Sequence, residues 1–547
     1  MKSAKQMTFF DVMDDKPLME LNNEKKNSKD FIKFEDSTLE KLNNYKLEDY
    51  VHDVENIGLE KTWDRICQYV TNYRDKATRF LDVKNFGELY EIGLAIQNKI
   101  LKKKNGQYYT PDDVANVMAK WLKDCEGTAV CDVACGTGKL ILTYLEIIGY
   151  DAARELISKG NLYLYDFDKV ALKICKATIA IKYGLDIANS IHDIFCDFLN
   201  KSIILPDDAK VISNPPYAKI NEIQDYWIHT EVLKDTKELY SCFMEKIFDQ
   251  AKSTVIITPF SFISGTKFES LRKLMCSDGG GFIVAFDNVP GNIFCGRKHG
   301  IFNTNTANSV RAAITVVDSN LKNCGFRISP LIRFKNEERK RLLKCDVLEK
   351  TLPPNKQIIS KKNTVFKKID SDLYDVYEKW TLGSKYKLRD FVVKTETDYV
   401  IDMPNTCRYF TVGCSRKLKR TGSIILNIDN ENIFYFLYCF INSSFTYWWW
   451  RIFDGGITYP ISLLNELPIP FNLLTDSDKH YFNNLAKEMI SKENSFIVKK
   501  MNAGVAQENI KFPEQYRERI NQRLLKIIGY ENEKKDVFKR IHDNKFF

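Results

Sequence analysis

The chain has 547 residues, of which 44% are hydrophobic and 28% are charged, and its formal net charge at pH 7 is +9. This length predicts two to four domains, and the balanced composition excludes a wholly disordered or membrane-embedded chain. The most apolar stretch, 253–262, is far shorter than a bilayer-spanning helix, and the N-terminus has no signal-peptide pattern. A cytoplasmic protein without a membrane partner is therefore expected.

The cysteines and histidines give no sign of a metal site. The 14 cysteines and 6 histidines are scattered, with no CxxC, HxxxH or HExxH spacing among them. Reduced, mostly buried thiols and the absence of a catalytic metal are the resulting expectations.

In chain order, residues 1–104 begin polar and then show apolar residues at helical spacing, which predicts an N-terminal, mostly helical region. From Thr110 to about residue 320, strand-like and helical segments alternate. This alternation predicts an α/β domain over 105–325 with a doubly wound, mostly parallel sheet. The predicted strands are 128–134, 162–166, 210–213 and 255–258, and the predicted helices are 139–148 and 169–183.

Residues 326–547 are predicted to form a separate mixed region. The segment 331–420 carries 22 Lys and Arg residues against 12 Asp and Glu residues, which accounts for the whole positive excess. On charge alone, a solvated basic face and a polyanion partner fit equally well. The aromatic run 434–453 contains Trp448, Trp449 and Trp450 and is expected to form a core helix, and 515–541 is again helical in period.

The first chemical motif is Asp-Val-Ala-Cys-Gly-Thr-Gly at 132–138, between a predicted strand and a predicted helix. Gly136 and Gly138 allow the backbone to pass close to a ligand at the carboxyl edge of a parallel sheet. The motif is not a dinucleotide fingerprint, because the third glycine position is Ile141, and not a P-loop, because no Ser or Thr follows Lys139.

An acidic residue follows the second strand of the predicted sheet. Asp166 stands where a carboxylate accepts hydrogen bonds from both ribose hydroxyls of a nucleoside. A nucleoside cofactor is the favoured interpretation, and an ordinary Rossmann turn with a capping Asp stays open.

The next strand ends in Asn-Pro-Pro-Tyr at 214–217, and its tip should face the same crevice. Asn214 offers an amide oxygen, and Pro215 lacks an N–H group, which leaves loop carbonyls free to accept. Two such acceptors converging on an exocyclic amino group would hold it, while Tyr217 supplies a flat face for an aromatic ring. This arrangement suits methylation of a planar amine nitrogen.

On these motifs and their order, the sequence resembles the amino-group DNA methyltransferases, specifically N6-adenine enzymes in which the specificity region comes last. The resemblance is strong over about 105–320 and weaker over 430–540. It implies a Rossmann-like class I S-adenosylmethionine-dependent methyltransferase domain at 105–325 and a DNA target-recognition domain at 326–547. It also assigns catalysis to Asn214, Pro215, Pro216 and Tyr217.

The same resemblance implies a set of S-adenosyl-L-methionine contacts, which extends from Gly-Gln-Tyr-Tyr-Thr-Pro at 106–111 to Asp-Phe at 197–198. They are Tyr109, Thr110, Asp132, Ala134, Gly136, Gly138, Asp166, Phe167, Asp197, Phe198 and Asn214. An adenine amino group is occupied in pairing inside a duplex, so the base must be rotated out and held by stacking. Tyr217 and Phe294 are the expected base contacts, and Arg416, Lys417, Lys419 and Arg420 are expected to contact DNA phosphates, as are the basic runs 335–344 and 361–368.

The expected partner is double-stranded DNA in a bacterial, nucleoid-associated setting, and a separate restriction endonuclease is a further candidate. A monomer and a dimer both stay open. Two other functions stay open as well: a protein-glutamine or RNA-guanine nitrogen methyltransferase, since Asn-Pro-Pro-Tyr also serves those substrates, and a non-catalytic nucleic-acid-binding scaffold.

Overall fold

The computed structural model describes residues 45–59, 61–62, 65–66, 86–97, 110–220, 230–294, 310–407, 409–502, 504–531 and 533–542. Within them, one mixed sheet has the strand order β3-β2-β1-β4-β5-β7-β6-β8. Its strands are β1 (Ala129–Val133), β2 (Leu162–Asp166), β3 (Ile191–Phe195), β4 (Ala209–Ser213), β5 (Ser253–Pro259), β6 (Gly280–Phe286), β7 (Ala312–Asp318) and β8 (Gly325–Ile328).

The centre of this sheet is parallel and buried on both faces. Every residue of β1 and β4 is buried, as expected for strands covered by helices on both sides. Strands β1 to β5 pair in parallel, whereas β7 runs antiparallel between β5 and β6. The predicted strands at 162–166, 210–213 and 255–258 lie within β2, β4 and β5, and β1 is one residue shorter at each end than predicted.

Helices cover both faces, which confirms the doubly wound α/β class. Residues alternate along β1, so that Val130 packs into one apolar cluster and Cys131 into the other. The predicted helices at 139–148 and 169–183 are observed with those bounds. In chain order the helices up to residue 278 are α1 (Leu47–Ile57), α2 (Phe86–Gln97), α3 (Asp112–Asp124), α4 (Lys139–Ile148), α5 (Tyr150–Ser158), α6 (Lys169–Tyr183), α7 (Glu231–Thr236), α8 (Leu239–Gln250) and α9 (Glu269–Asp278).

The two N-terminal helices pack on the sheet domain. Leu89, Tyr90 and Ile92 of α2 form an apolar cluster with residues of α1 and with Val170 and Ile174 of α6. The apolar residues at helical spacing in 89–96 therefore do belong to a helix, and its buried face is directed at α6.

The C-terminal part has its own large apolar cluster, which runs from Ile369 to Phe538. Residues between β8 and this cluster, including Ile332 and Leu348, pack instead into the core of the large sheet. The remaining strands are β9 (Tyr386–Lys387), β10 (Tyr399–Pro404), β11 (Ser423–Ile428), β12 (Pro468–Ile469), β13 (Ile497–Asn502) and β14 (Val505–Ile510). The remaining helices are α10 (Arg339–Leu342), α11 (Cys345–Glu349), α12 (Tyr374–Gly383), α13 (Glu431–Ile441), α14 (Ser444–Phe453), α15 (Ile461–Asn465), α16 (Asp476–Ser491), α17 (Glu493–Phe496), α18 (Glu514–Ile527) and α19 (Lys535–Lys539).

The aromatic run 434–453 is buried, as predicted, but it forms two helices rather than one. The helix is interrupted at Asn442 and Ser443, between α13 and α14. Asn442 exchanges hydrogen bonds with the backbone of Gly413, and the Ser443 side chain accepts from the Phe445 N–H at the start of α14. Polar side chains that bond to nearby backbone compete with helix continuation, which explains the break.

A buried carboxylate joins the two large parts of the molecule. Asp287 follows β6, is fully buried, and accepts hydrogen bonds from Arg311, Arg333 and, on α14, Arg451. Burial by itself would raise the pKa of Asp287, but Arg451, Arg333 and Arg311 lower it to about 2. Arg333 also donates to the Tyr447 hydroxyl, so this cluster ties α14 to the carboxyl edge of the sheet.

In the part of the chain that the structure describes, no helix combines the length and the apolar character needed to cross a membrane.

Candidate active site at the carboxyl edge of the sheet

Three strand ends bring the sequence motifs together. Because β2, β1 and β4 are adjacent and parallel, Asp166, Val133 and Ser213 end at the same edge of the sheet. The register places Asp132 beside Leu164 on one side and Ile212 on the other. The loops that follow these strands therefore share one crevice, as the order of motifs predicted.

The glycine loop, residues 132–138, has the backbone that close approach to a ligand requires. Ala134, Gly136 and Gly138 all have positive φ, at 73°, 53° and 92°. A Cβ added at Gly136 would meet nothing within 4 Å, so that face of the loop is open. At Gly138 the reason for glycine is packing, because an added Cβ would lie 2.5 Å from Cys175 Sγ.

Asp166 organises this loop from the neighbouring strand. Its Oδ2 accepts from the Gly136 N–H at 2.7 Å and its Oδ1 from the Asp168 N–H at 2.8 Å. Burial raises the pKa of Asp166 to about 6, although these hydrogen bonds oppose the shift. Next to it, the Phe167 side chain is 57% exposed, which makes it an apolar face open at the edge of the crevice.

Asp132 has a different environment. Its carboxyl group is buried, and burial together with the charge of Asp166 raises its pKa well above the usual value. Burial thus disfavours the charged form of Asp132, and neither of its carboxyl oxygens has a hydrogen-bond partner among the described residues.

The Asn-Pro-Pro-Tyr loop is held by its own side chains. The Asn214 amide donates to Thr110 Oγ1 at 3.0 Å, and the Tyr217 hydroxyl lies 2.7 Å from Asn214 Oδ1 and 3.0 Å from the Ile257 carbonyl oxygen. Because the amide nitrogen of Asn214 donates to Thr110, the amide oxygen points toward Tyr217. Pro215 is buried and Pro216 is half-buried, so the two prolines fix the backbone beneath the amide.

Phe294 lies against Tyr217. The ring centroids are 5.9 Å apart in an edge-to-face arrangement, and Tyr240 approaches the Tyr217 ring at 6.2 Å in the same manner. Phe294 is only 1% exposed. A substrate ring can therefore contact Phe294, as predicted, only if the Phe294 side chain moves or if the substrate ring enters at the face of Tyr217. The structure thus brings Phe294 into the crevice but keeps it covered.

Asp197 and Phe198 divide between surface and core. Asp197 is exposed, and its carboxylate accepts from the Leu199 N–H at 3.0 Å. The Phe198 ring is buried against Tyr165 and Phe243, and the Phe198 carbonyl oxygen accepts a hydrogen bond from Lys246, so the ring face is not open to a ligand. Tyr109, also predicted as a cofactor contact, lies outside the described residues.

Helix α2 supplies two residues that the sequence did not single out. The Thr137 hydroxyl donates to Glu91 Oε1 at 2.9 Å, and the Tyr90 hydroxyl donates to Asp168 Oδ2 at 3.1 Å. Asp168 in turn caps α6 by accepting from the N–H groups of Val170 and Ala171. The helical period of 89–96 indicated a helix, but no local pattern indicated that it would contact the glycine loop.

The basic loop at 416–420 is only partly available to a partner. Arg416, Lys417 and Lys419 are exposed, and the loop is joined to the β13–β14 hairpin by hydrogen bonds between Lys419 and Glu508 in both directions. The prediction that Arg420 contacts DNA does not fit its position. Its side chain is 3% exposed and donates to the buried carboxylate of Asp402 at 2.6 Å, so no guanidinium face is left for a phosphate.

Two other cations of the segment 331–420 are also held in internal contacts. Lys368 is buried, donates to Ser264 Oγ at 2.9 Å, and has its pKa lowered to about 7 by burial. Arg333 belongs to the Asp287 cluster.

Among the described residues, no group of His, Cys, Asp and Glu side chains could hold a metal ion.

Comparison with known proteins finds a family match for this region. Residues 82–327, a little under half of the chain, match the family model described as N-6 DNA Methylase. The resemblance inferred from the motifs is thereby confirmed.

The chain also aligns with curated relatives. The chain is 28% identical over 255 residues to the Type II methyltransferase M.VspI of Vibrio sp. (strain 343), covering 44% of this chain and 56% of that protein. It is 21% identical over 237 residues to the Type I restriction enzyme MpnII methylase subunit of Mycoplasma pneumoniae (strain ATCC 29342 / M129 / Subtype 1), covering 38% and 41%. The matched segments thus span about half, or less, of these relatives.

Among solved structures, the cryo-EM structure of a DrdV–DNA complex aligns with a TM-score of 0.46 and 13% identity, covering 79% of this chain and 61% of that chain.

Proposed function

We propose that the chain transfers a methyl group from S-adenosyl-L-methionine to the N6 amino group of an adenine rotated out of duplex DNA, at specific sites. The observation that carries this proposal is the position of the Asn214 amide, oriented by Thr110 at the tip of β4 and beside the glycine loop. The match of residues 82–327 to the N-6 DNA Methylase family model supports the substrate class.

The crevice fits a nucleoside cofactor. Gly136 leaves open space, Asp166 offers a carboxylate for ribose hydroxyls, and the exposed ring of Phe167 offers a face to a base. Asp197 and Phe198 follow β3, the strand next to β2, and are the proposed contacts to the adenine of the cofactor. When bound, S-adenosylmethionine supplies an electrophilic methyl group on a sulfonium centre.

Asn214 is the proposed anchor of the target amine. Its Oδ1 lies 2.7 Å from the Tyr217 hydroxyl and is the proposed acceptor of one N–H of the amine. A carbonyl oxygen of the Pro215–Pro216 backbone would accept the second N–H. Two acceptors would hold the amine with its lone pair toward the methyl donor. The nitrogen would lose its extra proton after the transfer, so the reaction needs no His or Cys nucleophile.

Tyr217 is the proposed platform for the target base. Its hydroxyl is held by Asn214 and the Ile257 carbonyl, which fixes the plane of the ring. Stacking of a rotated-out base on such a ring stabilises the extrahelical state. Phe294 already meets the edge of Tyr217 and is the proposed second contact to the base.

The region 326–547 is proposed to be the DNA target-recognition domain, following 1–104 as a helical region and 105–325 as the catalytic domain. Arg416, Lys417 and Lys419 are the proposed phosphate contacts, and the neighbouring hairpin adds the exposed Lys499. Duplex DNA is therefore the proposed partner, in the bacterial cytoplasm. A separate restriction endonuclease is the other proposed partner.

The direct test is to incubate the chain with radiolabelled S-adenosylmethionine and unmethylated plasmid DNA, then to map modified bases by sequencing. We expect N6-methyladenine at one recurrent sequence. Transfer to cytosine would overturn the choice of base. No transfer to DNA but transfer to RNA or to a glutamine-containing protein would favour the alternative substrates, and binding of DNA without any transfer would favour a scaffold.

A further inference from the structure

The two walls of the candidate base pocket come from distant parts of the chain. One wall is Asn214, whose amide is held by Thr110 just before helix α3. The other is Phe294, whose ring meets Tyr217 and whose N–H donates to Asn292 Oδ1 at 2.8 Å. The distance between these two walls must be fixed, because a base that is held by both stacking and hydrogen bonds tolerates little change in the geometry of either contact.

Arg339 connects the two walls directly. Its Nε and Nη2 donate to the two carboxylate oxygens of Asp113, at 2.6 and 2.8 Å. The same guanidinium donates through Nη1 to the carbonyl oxygen of Asn292, at 2.8 Å, and through Nη2 to that of Ile293, at 2.7 Å. One side chain thus makes four hydrogen bonds across two segments.

The two ends of this bridge adjoin the site. Asp113 lies in the first turn of α3, three residues after Thr110, and also accepts from the Val114 N–H. Asn292 and Ile293 immediately precede Phe294. The bridge therefore runs from the segment that orients the Asn214 amide to the segment that carries the Phe294 ring.

Arg339 is itself held in place. Its side chain is 12% exposed, and the following residues Leu342 and Leu343 are buried in the core of the large sheet. A paired, largely buried guanidinium cannot also neutralise a phosphate, although Arg339 lies in a run expected to do so. A lysine could replace the charge but not the planar fork, because an ammonium group cannot match Asp113 and two carbonyls in this geometry.

We propose that Arg339, paired with Asp113, is a positioning residue that sets the separation between the Asn214 wall and the Phe294 wall of the target-base pocket. This inference rests on the proposed function. The Arg339–Asp113 pair is assigned no contact with cofactor or DNA. Substitution of the pair should therefore leave the cofactor affinity unchanged but reduce extrusion and methylation of the base.

The test uses Arg339→Lys, Asp113→Asn and the double variant in the full chain, on a duplex that contains the mapped target site. Single-turnover methyl transfer should fall about 10- to 100-fold in each single variant, as for other residues that orient a catalytic group, while the cofactor Kd stays within about threefold. Because the two residues act as one unit, the double variant should lose about as much as either single variant.

A second measurement distinguishes positioning from a general loss of structure. With 2-aminopurine at the target position, the fluorescence rise on binding should be smaller for the variants than for the unaltered chain at saturating protein. The matched control is Arg154→Lys, because Arg154 donates to both carboxylate oxygens of Asp186 and to the Tyr183 carbonyl. That pair lies near the start of β3, at the opposite edge of the sheet, and its loss should change neither rate nor fluorescence.

Each outcome decides between the claims. Unchanged transfer and fluorescence in Arg339→Lys, or independent, additive losses in the double variant, would overturn the positioning role. If Arg339→Lys does not fold, Asp113→Asn alone carries the test, and an unaltered rate in that variant would refute the inference. A failure of the unaltered chain to methylate any DNA would instead overturn the proposed function, and this inference with it.

Discussion

The Asn214–Tyr217 loop and the basic loop at 416–420 organise their polar groups in opposite ways. In the first, side chains hold one another: Asn214 is bonded to Thr110, and Tyr217 to Asn214 and the Ile257 carbonyl. In the second, exposed cations pair with other surface groups, such as Lys417 with Glu396 at 2.8 Å. A site that is organised before the ligand arrives should depend sharply on each residue, whereas an exposed cationic loop should depend on the sum of its charges.

The sharpest difference should appear at Asn214. Replacing Asn214 with Ala removes the proposed acceptor of the target amine, and methyl transfer should fall about 100- to 1,000-fold, the usual loss for one preorganised polar group. Cofactor affinity, measured by calorimetry, should change little because Asp166 and the glycine loop are intact. Full activity of this variant would remove the contrast between the two loops.

The Asp287 cluster, which joins the regions that carry the two loops, should have the next largest effect. Asp287→Ala leaves three arginines buried without their carboxylate and should lower the free energy of unfolding by about 3–5 kcal/mol. Chemical denaturation followed by fluorescence of the buried tryptophans measures this. The control is Asp186→Ala, which removes an exposed partner of Arg154 and should leave the unfolding midpoint nearly unchanged.

The basic loop should behave additively. Reversing the charges of Arg416, Lys417 and Lys419 to Glu should weaken binding of duplex DNA about tenfold or more at low salt, and flatten the dependence of log K on log salt concentration by about one to three phosphate equivalents. The matched control reverses Lys159, Lys182 and Lys322, which lie at the opposite edge of the sheet. An equal effect of both triples would indicate a response to net charge rather than to this loop.

The smallest expected effect concerns pH. The pKa of Asp166 is raised to about 6 by burial, so this carboxyl group gains its proton as the pH falls through 6. Only the ionised form can accept from both ribose hydroxyls, so cofactor affinity should be constant above pH 7 and weaken by up to about tenfold per pH unit below 6. Asp166→Asn should bind the cofactor more weakly at every pH and lose this dependence. A wild-type affinity that is independent of pH between 5 and 7 would contradict the role of Asp166.

The contrast between the loops also explains which predictions the structure supported. Periodicity located β2 and α6 because strands buried on both faces and helices with one apolar face leave a local signal, and parallel topology then brought Gly136, Asp166 and Asn214 to one edge. These residues could be predicted together because the position of each depends on its own strand.

Pairings between distant segments left no such signal. Arg420 and Arg416 look alike in the sequence, but Arg420 is buried because Asp402, on β10, lies beside it. The Phe198 ring packs against Phe243, and the Phe294 ring packs against Tyr217. Each of these partners is more than forty residues away in the sequence, so no local pattern indicates the contact. The same limit applies to Arg339, which the family resemblance assigned, within the run 335–344, to phosphate binding and which instead pairs with Asp113.

The hydrogen bonds of helix α2 bear on how the molecule can be divided. Glu91 holds Thr137 of the glycine loop, and Tyr90 holds Asp168, which caps α6. A recombinant fragment that begins at residue 105 would contain every motif of the methylase fold but would lose these two partners. The smallest autonomous unit for studying cofactor binding should therefore begin before α2, in agreement with the family match, which starts at residue 82.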